Sequence, residues 1–304
     1  MEANLDNAAS DAWRVVVITM IPGGAVYTMV DEVLRPLGHR VVGVLTSPGP
    51  APRRNTSYLD VVAAVPPNVD VIVSNHPARW AAMLAPLRPD LIICGGMPWR
   101  IPAAVLALPH LGAINMHPAP LPRHRGPGAV EWALRSGDPE LGFTIHRIAP
   151  DFDTGPILVQ TAVPISDEDD VHTLIAKLLP TVPAALEQAL ARVAQGDAGE
   201  PQDESQATYA GLFEDDWRTI DWAAPARAIH NQVRSWSGYG DQPGAIADLG
   251  GSTVQIRKTR LLPAISSPDA ALPGTVLAED GTEWVVQCGD GPIAIVEWTR
   301  LPGA

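Results

Sequence analysis

Lysine is nearly missing from this chain of 304 residues: Lys177 and Lys258 are the only two. The 21 basic residues, mostly arginine, face 34 acidic ones, and the formal net charge is −13. A field of that sign opposes a polyanion, which excludes a general DNA-binding role and leaves only a local basic patch for any nucleic acid. Cysteine is equally scarce. Cys94 and Cys288 stand far apart, so neither a disulfide framework nor a metal cluster is expected, and a reducing cytoplasm is the expected compartment. No apolar stretch approaches the roughly 18 residues of a membrane span without Gly, Pro or charge interrupting it, so no membrane partner is expected. The start, "MEANLDNAASDAW", is acidic and polar, unlike a secretory signal. Internal repeats and low-complexity tracts are lacking too.

What is there is apolar and regular. Hydrophobic residues make up 46% of a chain long enough for about two domains. Residues 1–12 read as a disordered leader. "RVVVITM" (14–20), "HRVVGVLTS" (39–47), "DVIVS" (70–74), "DLIICGG" (90–96) and "GAINMHP" are continuous apolar strands alternating with amphipathic stretches. That alternation predicts a parallel sheet covered on both faces, a Rossmann-like α/β domain over 13–200. "GFTIHRIA" (142–149) and "GPILVQTAVPI" (155–165) add two strands joined by the turn "PDFDTG". A helical segment over 170–196 follows, with Pro180 and Pro183 marking a break. Residues 201–223 are polar and read as a linker. From 224 on, a short helix and five short strands with close Gly and Asp turns predict a small β-barrel (OB-like) domain to residue 304.

Within "AINMHPAPLPRHRG" (113–126), Asn115 and His117 are two apart on a strand and point the same way. Prolines at 118, 120 and 122 then forbid a helix and keep the chain extended. Ligands of open parallel sheets sit beyond the carboxyl ends of the strands, where this pair lies. The turn "DFDTGP" borders the same crevice and brings Asp151 and Asp153. An amide can donate to a developing oxyanion, an imidazole can move a proton near neutrality, and a carboxylate can orient that imidazole. The same residues can also be an ordinary buried His and Asn satisfied by backbone, with Asp serving the turn alone. No serine or cysteine stands among them, so the attacking nucleophile belongs to the substrate. "IPGG" after the first strand lacks the Gly-Lys-Ser/Thr of a phosphate loop and is set aside.

The stretch "INMHPAPLPRHRGPGAVEWALRSGDPELGFTIHRIAPDFDTGPIL" resembles the signature of the formyltetrahydrofolate-dependent formyltransferases, with Asn, His and R-G followed downstream by D-T-G. "PDLIICGGMPWRIPAAVLALPHLGAINMH", "GEPQDESQATYA" and "IDWAAPARAIHNQVRSW" extend the likeness over nearly the whole chain, toward the family's methionyl-tRNA branch. The resemblance implies that Asn115 holds the formyl oxygen, that His117 assists the proton transfers, and that Asp153 orients and polarises His117. It implies 10-formyltetrahydrofolate as donor, no metal, and a pterin held by Met97, Trp99, Ile101 and Asp151. Trp99 can equally be a packing residue at a helix end, and Arg125 and Gly126 shape their loop. The acceptor is methionyl-tRNA or a small-molecule amine, because the loop that should grip tRNA offers only Arg53 and Arg54. Other departures are Pro118-Ala119-Pro120-Leu121-Pro122 in place of Ser-Leu-Leu-Pro, Ala149 where an acid is usual, and "VVVITMIPGG" for the first strand. A hydrolase or a silent binding module are the remaining alternatives; the second domain argues against the first and the intact Asn115, His117 and Asp153 against the second.

Overall fold

The computed structural model describes residues 12–50, 56–238, 244–263 and 271–301; the expected leader and the Arg53–Arg54 loop lie outside them. In chain order the first elements are β1 (Arg14–Thr19), α1 (Ala25–Leu34), β2 (Arg40–Thr46), α2 (Ser57–Ala64), β3 (Asp70–Val73), α3 (Pro77–Leu84), β4 (Leu91–Gly95), α4 (Ala103–Leu106) and β5 (Ala113–His117). They continue with α5 (Ala129–Ser136), β6 (Glu140–Arg147), β7 (Ile157–Pro164), α6 (Val171–Leu178) and α7 (Val182–Ala194). After α8 (Ala226–Ser235) come β8 (Ala245–Leu249), β9 (Ser252–Leu261), β10 (Val276–Glu279), β11 (Trp284–Gln287) and β12 (Pro292–Arg300).

Seven strands form one sheet in the order β3-β2-β1-β4-β5-β6-β7. The first five are parallel, as the apolar runs predict. β6 instead runs antiparallel to β5. Its burial is continuous from Leu141 to His146, and a strand buried on both faces carries no pattern that tells its direction. β1 and β4 are apolar at almost every position because helices cover the sheet, and Val16, Ile18, Leu45, Ile92 and Trp80 pack in one core cluster. α1 starts after Gly23 and Gly24, both at positive φ. A Cβ on Gly24 would lie 2.2 Å from that of Ala64, so the turn is packed against α2.

The helical segment 170–196 breaks where proline demands it. α6 opens with Asp170 accepting the Thr173 N–H at 2.8 Å in a capping box. A 3-10 turn over Leu179–Thr181 contains Pro180, and α7 begins beyond it. Val171–Ala194 is the one described stretch whose length and mean hydropathy of 1.2 would suit a membrane span. Its Leu174, Leu178, Leu186, Ala189 and Leu190 are buried in protein, as in a core helix.

By contacts the chain divides into two compact units. One holds the described residues of Met1–Pro127, Gly142–Thr161 and Pro180–Thr208; the other holds Gly128–Leu141, Ala162–Leu179 and those of Tyr209–Ala304. The second unit carries a five-stranded antiparallel sheet in the order β10-β11-β12-β9-β8. Its core gathers Ile229, Val233, Val254, Ile256, Trp284 and Ile293, with Phe213 and Trp236 packed edge to face at 5.4 Å.

Candidate active site

Three prolines in five residues remove three backbone donors from a segment that must be buried, leaving only Ala119 and Leu121 to satisfy. Ala119 donates to the His117 carbonyl at 2.9 Å. Leu121 donates to the Thr144 hydroxyl at 3.2 Å, and that hydroxyl donates to the Ala119 carbonyl at 2.6 Å. Gln160 caps the Leu121 carbonyl at 2.7 Å. The chain therefore does not stay extended beyond β5, as the prolines alone suggest: it bends at Pro118–Ala119, turns over Leu121–His124 with Arg123 donating to the Pro120 carbonyl at 3.1 Å, and comes within reach of the Asp153 carboxylate at Gly126.

The turn after β6 meets it there. Asp153 has φ +56°, a left-handed conformation that Asp tolerates better than most residues. Gly155 must be glycine for a different reason, since a Cβ would fall 1.8 Å from the Arg147 carbonyl oxygen. The turn aims the Asp153 carboxylate into a buried polar cluster. Its Oδ2 accepts the Gly126 N–H at 2.8 Å and lies 3.8 Å from His117 Nδ1. Its Oδ1 accepts from Asn115 Nδ2 at 3.2 Å and lies 3.5 Å from His146 Nε2.

His146 is a member of this cluster that no sequence motif marks. The antiparallel register sets it directly opposite Asn115, with Thr144 opposite His117. Asn115 Nδ2 is 3.1 Å from His146 Nε2. The signal in the sequence is weak: His146 and Thr144 alternate in "GFTIHRIA", which is visible, but their partners depend on strand direction.

Donor and acceptor requirements settle the neutral tautomers. His117 Nε2 is 2.8 Å from the His124 carbonyl and His146 Nδ1 is 2.8 Å from the Arg147 carbonyl. A carbonyl only accepts, so each ring carries its N–H there and its other nitrogen is bare. The tautomer of His117 is thus held by a backbone carbonyl, and Asp153, at 3.8 Å, acts on the ring's charge. Both amide hydrogens of Asn115 are directed at protein acceptors, one at His146 and one at Asp153.

Burial pushes the His117 ring below the ordinary histidine value, against the upward pull of the Asp153 carboxylate and the His124 carbonyl. Burial would raise the Asp153 carboxyl, but the His146 ring, the charge of His117 and the Gly126 N–H outweigh it and hold the group low. At neutral pH the cluster is a carboxylate beside a neutral ring whose Nδ1 is open to a proton.

An open cleft lies against this cluster. The loop after β4 supplies Met97, Trp99, Arg100 and Ile101; the segment after β6 supplies Ile148 to Asp153; Cys94, Asn115 and His146 complete the lining. Of the sequence candidates, Asn115, Asp153, Met97, Trp99, Ile101 and Asp151 all reach the cleft, while His117 lies behind Asp153 and is buried. Trp99 lines the cleft and also packs edge to face on buried Trp80 at 5.8 Å. Asp151 is mostly exposed and pairs with Arg100 at 3.1 Å across the mouth. The Cys94 thiol is pushed up to about 12, by burial first and then by the Asp153 charge, which removes it as a nucleophile. Among the described residues no three His, Cys, Asp or Glu side chains are placed to hold a metal ion.

An amide, an imidazole and a shared carboxylate thus stand beside a cleft whose lining residues include no serine. Comparisons with known proteins make this specific. The family profile for formyl transferase matches residues 14–190, and that for the formyl transferase C-terminal domain matches 214–302. The chain belongs to the formyl transferase family. It is 34% identical over 271 residues to a methionyl-tRNA formyltransferase of Pseudomonas putida (strain W619), covering 87% of this chain and 84% of the relative. A second, from Pseudomonas entomophila (strain L48), is 36% identical over 223 residues, 73% of this chain and 69% of the relative. Solved structures share the fold. HypX from Aquifex aeolicus in complex with tetrahydrofolic acid superposes with a TM-score of 0.65 at 20% identity over 96% of this chain, which spans 45% of that one. The N-formyltransferase from Helicobacter canadensis in complex with folinic acid and dTDP-3-aminofucose gives 0.68 at 15% identity, covering 94% of this chain and all of the other.

Proposed function

We propose that the protein moves the formyl group of 10-formyltetrahydrofolate to the amine of a small molecule, with Asn115, His117 and Asp153 as its catalytic residues. The observation that carries this reading is the Asp153 carboxylate shared between Asn115 and His117 beside an open cleft. The donor, when bound, supplies an activated formyl carbon. Met97, Trp99 and Ile101 offer apolar surface suited to a flat bicyclic ring, and Asp151 offers an acceptor for its polar edge. Asn115 gives up one of its two internal hydrogen bonds and donates to the formyl oxygen as negative charge builds there. The proton shed by the attacking amine is relayed past the Asp153 carboxylate to Nδ1 of His117, where that carboxylate stabilises the imidazolium, and it returns to the departing nitrogen as the bond between the formyl carbon and the donor breaks. We assign catalysis to the domain expected over 13–200, with 224–304 as a second domain and the expected linker of 201–223 beginning in residues that belong to the first unit. Two free buried cysteines suit a reducing compartment, and we place the enzyme in the cytoplasm.

Charge favours the small acceptor. The net charge of −13 opposes a polyanion. On the C-terminal sheet Arg260 lies 2.6 Å from Glu283 and Arg257 3.9 Å from Glu297, so those cations are matched by acids. The names of the 34% identical relatives favour a second reading, methionyl-tRNA as acceptor. Release of tetrahydrofolate from the formylated donor, screened against charged initiator tRNA and a panel of small amines, separates the two. A small amine is expected to drive turnover, and tRNA to bind weakly with a shallow salt dependence. Tight tRNA binding with a slope of about −0.7 to −0.9 per phosphate contact would overturn the small-acceptor reading.

A further inference from the structure

We infer that Gln202, held by the buried Arg125, is a positioning residue for the Asp153 carboxylate. Gln202 lies in the polar stretch that sequence alone reads as the start of a linker. Its amide nitrogen donates to the Asp153 carbonyl at 2.8 Å and to the Gly155 carbonyl at 2.7 Å. These bonds grip the backbone of the turn on both sides of Thr154. The amide oxygen of Gln202 accepts from Arg125 Nε at 3.1 Å and from its terminal nitrogen at 2.7 Å. Arg125 is itself only 8% exposed, and two more of its hydrogens reach the exposed Glu204 at 2.7 and 2.9 Å.

The arrangement has a direction. Arg125 fixes the orientation of the Gln202 amide, because only the oxygen can face a guanidinium. The nitrogen is then obliged to face the turn, where two carbonyls need donors. The turn needs such support from outside its own strands. Asp153 sits at φ +56°, and Gly155 lies so close to the Arg147 carbonyl that the chain there has little room to adjust. The neighbouring residue Gly126 holds the carboxylate itself through its N–H, so residues 125 and 126 fix both the backbone and the side chain of Asp153. Glu204 is peripheral, since its contact with Arg125 is solvated and screened.

The inference rests on Asp153 serving the reaction proposed above, and its test separates the two. Gln202→Glu retains the volume and the contact with Arg125 but turns an oxygen toward both carbonyls. It is expected to lower kcat at least tenfold with the KM for the donor changed less than threefold. Glu204→Gln is expected to lose less than Gln202→Glu by a wide margin. Gln202→Met removes the donor without adding charge. In that variant the titration of the His117 Cε1 proton, followed by NMR, is expected to move to lower pH, because the carboxylate that raises it has shifted. The NMR readout needs no catalysis, so it reports on the turn even if the reaction were assigned wrongly. An unchanged His117 titration, or kcat within twofold of wild type for Gln202→Glu, would overturn the inference.

Discussion

Replacing Asp153 by Asn is the sharpest single test of the site. The side chains have nearly the same volume, and Asn tolerates the left-handed φ of +56° that this turn requires. The amide oxygen can still accept the Gly126 N–H, while the amide nitrogen takes the place of Oδ1, where it faces His146 Nε2 and no longer accepts from Asn115. Packing and turn geometry should therefore survive. What disappears is the acceptor for Asn115 and a negative charge 3.8 Å from Nδ1 of His117, the nitrogen that the proposed mechanism protonates. At an effective dielectric near 20, a full imidazolium at that distance is stabilised by roughly 4 kcal/mol. Transfer of the proton is partial in the transition state, so about half to most of this figure should appear in the rate, a loss of about 10²–10³ in kcat. The assay is tetrahydrofolate release at saturating donor and acceptor, beside a thermal melt. The acid limb of the kcat profile should also move to lower pH, since the His117 ring loses the group that raises it. A folded Asp153→Asn enzyme within tenfold of wild-type turnover would refute the reasoning, as would Asp151→Asn being the more damaging change.

Four further outcomes are expected. His117→Ala and Asn115→Ala should each cost about 10²–10⁴ in turnover, with far smaller effects on donor binding measured by fluorescence or calorimetry. Gly155→Ala should destabilise the first unit and reduce activity together, because its Cβ would meet the Arg147 carbonyl at 1.8 Å; a melting temperature equal to wild type would be inconsistent with that contact. Arg125→Lys cannot fork between Gln202 and Glu204, and kinetics should place it between wild type and Gln202→Glu. Burial holds His39, His117 and His230 below the ordinary value, so the unfolded chain takes up protons first as pH falls. Stability should therefore decline from about pH 6.5 downward, through the folded values, and His230→Gln should flatten that slope in denaturant melts.

Much of the site could be read from the strand "AINMH", because a two-residue spacing needs only the alternation of a strand to put Asn115 and His117 on one face. Asp153 could be read as well, since a D-T-G turn between two strands has one place to go. His146 could not. It acquires meaning only from the register that pairs it with Asn115, and β6 is buried on both faces, so its sequence does not say which way it runs. Gln202 was hidden by its surroundings, since "GEPQDESQ" has the composition of a linker and its two bonds to the turn span 49 and 47 residues. The tautomers were hidden for another reason. They depend on the carbonyls of His124 and Arg147, and backbone groups leave no mark in a sequence.

The distance in sequence between the Asp153 turn and Gln202 has a consequence for how the protein is made. Gln202 is synthesised 49 residues after Asp153. At about 5–20 residues per second, the turn exists for roughly 2–10 s with nothing to grip its carbonyls. A nascent chain that ends before Gln202 would therefore hold Asn115, His117 and Asp153 without the side chain that grips the Asp153 turn.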